Sequence, residues 1–140
     1  MGMGVPAAIA GALRAPDRQV ICFVGDGGFQ MTGNEISLAV ERNLPIRFIV
    51  SNNGSLGTIR LYQEKDYPNR TLATNMTNPD FTKIAEAYGA SGFKINKNED
   101  IKVVLEKAFS IDGPVLIEVN SSLEYLAAYI KMSEIRKTHQ

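Results

Sequence analysis

A chain of 140 residues has room for one domain with a core that needs no covalent staples. Its 15 basic side chains balance 15 acidic ones, which removes the one-signed field of a nucleic-acid or anionic-membrane binder. The single cysteine, Cys22, excludes an internal disulfide and suits a reducing cytoplasm, and no apolar run approaches the ~20 residues of a membrane helix.

The opening MGMGVPAAIAGAL is apolar without a basic leader, so it reads as a core helix already under way, over Val5 to Arg14, not as a signal peptide. Gln19 to Val24 (QVICFV) is a short continuous apolar run, the pattern of a strand buried on both faces. Gly25-Asp26-Gly27-Gly28 breaks it, and a helix is expected from about Thr32 to Arg42, with Thr32 and Glu35 at capping-box spacing. A second buried run, Ile46 to Val50, ends at Ser51-Asn52-Asn53-Gly54. Asn78-Pro79-Asp80 starts a helix that Gly89 closes. Gly92 to Ile95 predicts a short strand, and Asn98 opens a helix with apolar spacing at Ile101, Val104, Leu105 and Phe109. VLIEV at 115–119 is the last buried strand, and residues 123–140 form an amphipathic tail on which Tyr125 and Tyr129 share a face.

Strands that alternate with helices predict an α/β fold: a parallel twisted sheet with helices on both faces. Ligands of such sheets bind beyond the carboxyl ends of the strands, here just after Val24 and just after Val50. At the first end, three glycines let backbone N–H groups approach an anion, while Asp26 adds a carboxylate that needs a cation between it and any phosphate. Magnesium accepts both kinds of oxygen. At the second end, Asn53 offers an amide oxygen and Gly54 a turn that can aim a backbone carbonyl at the same ion. Either motif alone is most often only a turn. Together, at two strand ends one crossover apart, they describe a magnesium–diphosphate site, which a nucleotide-binding module without further chemistry could also use.

The pair GDGG…NN, with MGMGVPAAIAGAL before it, NLPI at 43–46 and DGPVLIEV at 112–119, resembles the C-terminal pyrophosphate-binding domain of thiamine-diphosphate enzymes. The resemblance is to the acetolactate synthase-like decarboxylase and carboligase group, and it covers nearly the whole chain. It implies thiamine diphosphate and Mg2+ as cofactors, with a thiamine-diphosphate-binding domain over residues 1–122. Asp26, the side-chain oxygen of Asn53 and the backbone carbonyl of Ser55 would bind the metal, and Gly27 and Gly28 the diphosphate. Leu56, Gly57, Thr58 and Ile59 would run along the cofactor toward its thiazolium, and Met1 matches a large apolar residue beneath it.

Pyruvate decarboxylases carry an acid at the position of Ile59, which assists protonation after CO2 leaves. An apolar Ile59 therefore tilts the resemblance toward carboligation, two pyruvate molecules giving acetolactate and CO2. A non-oxidative decarboxylase, or one subunit of a split decarboxylase, is the alternative within enzymes. Acetolactate synthases carry Gly and Gln at the places of Gly57 and Gln63 but Trp at that of Tyr62, a departure that bears on the acceptor substrate. Arg60 could meet a substrate carboxylate, although an exposed helix arginine is its simpler reading. The glutamate that activates the cofactor lies, in the family, on a separate pyrimidine-binding domain, so the isolated chain is expected to be inactive. That domain would come from a longer protein or a neighbouring subunit in a homo-oligomer, and the family's first strand is expected to precede Met1. Nucleic acid and membrane are not expected partners. His139 and Cys22 need no function.

Overall fold

The computed structural model describes residues 1–127 and 131–137. Tyr129 and His139 lie outside the described residues. In chain order the elements are α1 (Gly4–Arg14), β1 (Val20–Gly25), α2 (Asp26–Thr32), a 3-10 turn (Gly33–Glu35), α3 (Ile36–Glu41), β2 (Ile46–Asn52), α4 (Gly57–Asp66) and α5 (Phe81–Ala87). They continue with β3 (Ser91–Ile95), α6 (Asp100–Phe109), β4 (Val115–Asn120), a second 3-10 turn (Leu123–Tyr125) and α7 (Met132–Lys137).

The four strands form one parallel sheet in the order β1-β2-β4-β3. Cys22 pairs with Phe48, which pairs with Leu116, so these side chains share one face. On that face α1, α2, α3 and α5 close the larger core around Val5, Ile9, Phe29, Ile36, Phe48, Phe81 and Leu116. Phe29 and Phe81 meet edge to face, with centroids 5.4 Å apart. Full burial of each such side chain contributes ~1.5–3 kcal/mol, which anchors α2 although it contains Gly27 and Gly28. The opposite face carries a smaller core in which Ala108, Val104 and Leu105 of α6 pack on Ile95, Val115 and Ile117.

The α/β class and the parallel order agree with the sequence reading; three local expectations do not. β1 is not buried on both faces: Ile21 and Phe23 are 53% and 73% exposed, because α6 covers only the β3–β4 side of the second face. A strand run that is apolar at every position reports what could be covered, not what is. The helix expected from Thr32 instead begins at Asp26, directly on the strand end, and a 3-10 turn interrupts it. Thr32 makes no capping bond with its side chain; its Oγ1 donates to the Gly2 carbonyl. In α6, which starts at Asp100 and not Asn98, the terminal Ile101 and Phe109 are 41% and 42% exposed. The packed stripe is the fully buried Ala108 with the half-buried Val104 and Leu105 beside it. Among the described residues no helix is long and apolar enough to cross a membrane.

Candidate functional site at the carboxyl ends of β1 and β2

Gly25 at the end of β1 pairs with Ser51 near the end of β2, so the glycine-rich turn and the Asn52-Asn53-Gly54 turn leave the sheet side by side. Asp26 opens α2 and is 2% exposed. Its Oδ1 accepts the Gly27 N–H at 2.9 Å, and its Oδ2 accepts the Gly54 N–H at 2.9 Å and Asn78 Nδ2 at 2.7 Å. A carboxylate has about four acceptor positions, so these donors leave capacity for a cation. Gly54 has φ +64, a conformation disfavoured for residues with a Cβ, and this turns its N–H onto Asp26. Asn53 Oδ1 accepts the Ser55 N–H at 3.0 Å, which folds the turn back on itself.

A second loop clamps this turn from outside. The Thr74 carbonyl accepts Ser55 Oγ at 2.7 Å and the Leu56 N–H at 2.8 Å, while the Met76 N–H donates to the Gly54 carbonyl at 2.8 Å. Ser55 and Thr74 are 1% and 2% exposed, so the clamp is dry and its hydrogen bonds are hard to exchange for water. Beyond Leu56 the chain enters α4, which places Gly57, Thr58 and Ile59 in that helix's first turn.

A cavity of about 600 Å³ opens over these turns. Asp26, Gly27, Gly28, Asn53, Ser55, Leu56, Gly57, Thr58 and Ile59 all line it. The oxygen-only donor set of Asp26, Asn53 and nearby backbone carbonyls suits a hard cation such as Mg2+. A Cβ on Gly27 would stand 2.6 Å from Leu56 Cδ2, so the glycine keeps the floor open. Met1 also lines the cavity, with its Cε 3.6 Å from the same point.

Sequence reasoning missed several walls. Asn78, in the sequence part of a helix start, braces a wall from behind: it bonds Asp26 directly and accepts Gln30 Nε2 at 2.7 Å. Phe23 and Val24 of β1 line the cavity, as do Tyr125 and Leu126 from the segment after β4. Leu126 Cδ2 lies 2.8 Å from where a Gly57 Cβ would stand. Nothing local in the sequence marks these residues. Arg60 is not an exposed helix arginine: its side chain is 16% exposed, and its Nη1 donates to Asn75 Oδ1 at 2.6 Å, away from a free substrate-binding role.

Residues 1–119 match the thiamine pyrophosphate enzymes, C-terminal TPP-binding domain, and the chain belongs to that family. It is 40% identical over 119 residues to the mitochondrial acetolactate synthase catalytic subunit of Saccharomyces cerevisiae, covering 85% of this chain and 17% of that protein. Its identity to the acetolactate synthase large subunit of Lactococcus lactis subsp. lactis is 41% over 124 residues, covering 85% and 21%. The mitochondrial acetolactate synthase of Schizosaccharomyces pombe is 36% identical over 119 residues, covering 85% and 18%. The chain thus spans about one-fifth of the length of these relatives.

Proposed function

We propose that this domain holds Mg2+ and the diphosphate of thiamine diphosphate in the cavity beyond β1 and β2, as part of an acetolactate synthase-like carboligase acting on a 2-oxo acid. The observation that carries the reading is Asp26: a buried carboxylate oriented by the Gly27 and Gly54 N–H groups and Asn78, at the wall of a cavity lined by glycine backbone. Asp26, the Asn53 amide oxygen and the Ser55 carbonyl are the proposed metal ligands. Gly27 and Gly28 are the proposed diphosphate cradle. Leu56 to Ile59 would face the length of the cofactor, and Met1 would support it beside Gly27. When bound, the cofactor supplies the carbon nucleophile and electron sink for decarboxylation of the 2-oxo acid. The chain's own residues orient it, exclude water and withhold a proton at Ile59.

The pyrimidine-binding domain belongs to the same proposal, supported by relatives several times longer than this chain, and so does a homo-oligomeric assembly, supported by the exposed Phe23, Met1 and Met3. A reducing compartment such as the cytoplasm suits its single thiol, Cys22, which is buried and whose pKa burial raises. Calorimetry on the whole protein tests the assignment. Magnesium-dependent heat with thiamine diphosphate and none with ADP is expected, and Asp26→Ala should abolish it while leaving the fold intact. Heat with ADP alone would point to a nucleotide module, and unchanged affinity in the variant would remove Asp26 from the site.

A further inference from the structure

Glu118 on β4 is 1% exposed, yet it sits in register beside Val50 and Lys94, inside the sheet. Its Oε1 accepts Asn52 Nδ2 at 2.7 Å and lies 3.1 Å from Lys94 Nζ, while its Oε2 is buried with no hydrogen-bond partner. Burying a carboxylate with one oxygen unmatched is costly, and packing alone would be better served by an apolar side chain. The bonds on the far side of Asn52 supply the reason for the carboxylate. Asn52 Oδ1 accepts the Gly54 N–H at 3.2 Å and Asn78 Nδ2 at 2.7 Å. That same Asn78 Nδ2 donates to Asp26 Oδ2.

The relay therefore has a carboxylate at each end and two amides between. A carboxylate only accepts, so Glu118 compels Asn52 to present its NH2 inward and its carbonyl oxygen to Gly54 and Asn78. Were Asn52 reversed, its NH2 would confront the Gly54 N–H and the Asn78 NH2, donor against donor. The Gly54 turn and the Asn78 contact, which orient Asp26, would then loosen. We propose that Glu118 is a positioning residue for the cofactor site: through Asn52 and Asn78 it sets the geometry of Asp26 and of the turn that carries Asn53. The inference rests on the magnesium–thiamine diphosphate reading above.

The whole enzyme, stripped of metal, is titrated with Mg2+ by calorimetry at saturating thiamine diphosphate, alongside thermal unfolding of the metal-free protein. Glu118→Leu, which removes the acceptor, is expected to weaken magnesium roughly 10–100-fold, the usual effect of removing a partner that orients a metal ligand. Glu118→Gln keeps an oxygen that accepts from Asn52 Nδ2, so it should bind magnesium nearly as wild type does, a retention that sets the acceptor apart from mere bulk. Unchanged magnesium affinity in a folded Glu118→Leu overturns the inference, and so does a folded Glu118→Gln that binds as weakly as Glu118→Leu. If Glu118→Leu does not fold, Asn52→Ala, which removes the donor, is expected to show the same loss, and unchanged affinity there overturns the inference. A wild-type protein that shows no magnesium-dependent binding overturns the cofactor reading itself. Wild-type binding that Asp26→Ala abolishes and Glu118→Leu spares sinks this inference alone.

Discussion

Ile59 stands in the first turn of α4, 42% exposed and on the cavity wall, so a longer polar side chain fits there without unpacking a core. If it lies over the reacting carbon, its consequence is chemical. A positioned acid typically speeds proton transfer ~10²–10⁴-fold, and isoleucine supplies none. The whole enzyme is expected to turn pyruvate mainly into a ligated product, and Ile59→Glu to shift the balance toward acetaldehyde. Gas chromatography of the products decides this; mainly acetaldehyde from the wild type would favour the decarboxylase reading. The sequence made Asp26 and Asn53 legible because their motifs are contiguous with strand ends. It left Asn78 and Glu118 unread, since a residue brought to a site from 52 positions away carries no local signature.

At the level of elements, α5 is fixed at its start by Asp80, whose Oδ1 accepts the Thr82 N–H, the Thr82 hydroxyl and the Lys83 N–H. The Thr82 hydroxyl, then the Lys83 N–H, hold the Asp80 carboxyl below its ordinary value of 3.8. A lowered carboxyl pKa means that stability is present above the unfolded value and is lost as pH falls through the folded one. Asp80→Ala should cost about 0.5–2 kcal/mol near neutrality, as lost N-caps do. The gap between variant and wild type in urea unfolding should narrow below pH 3.8. A gap that widened in acid would contradict this account of the cap. The next element, β3, abuts the same helix so closely that a Cβ on Gly92 would lie 2.7 Å from the Thr82 carbonyl oxygen. Because that neighbour is backbone and cannot rotate aside, Gly92→Ala is expected to cost ~1–3 kcal/mol, the range for overpacking. A thermal midpoint equal to wild type would show that α5 shifts freely.

For the whole molecule, the uneven covering of the sheet matters most. Ile21 and Phe23 stand bare on the face whose smaller core reaches Ile49 of β2 but not β1, and Met1 and Met3 are 71% and 73% exposed, on the chain end that lines the cavity with the glycines. Exposed apolar side chains such as these suit contact with another domain or subunit. The 140-residue chain by itself is therefore expected to self-associate, and Phe23→Ser to reduce association without lowering the thermal midpoint. Light scattering across a concentration series checks it, and a wild-type monomer at high concentration counts against it.

The sequence by itself determined the α/β order and which strand ends carry the candidate site. Short apolar runs, and the glycines and asparagines that end them, are local facts, and parallel strands bring their carboxyl ends to one edge. Only the tertiary structure decided which faces are covered. It also decided that α2 begins on Asp26 and that Thr74, Asn78 and Glu118 brace the two turns. Those outcomes depend on which distant segments fold back against the sheet, and an apolar run or a lone polar residue looks the same in sequence whether or not a partner arrives.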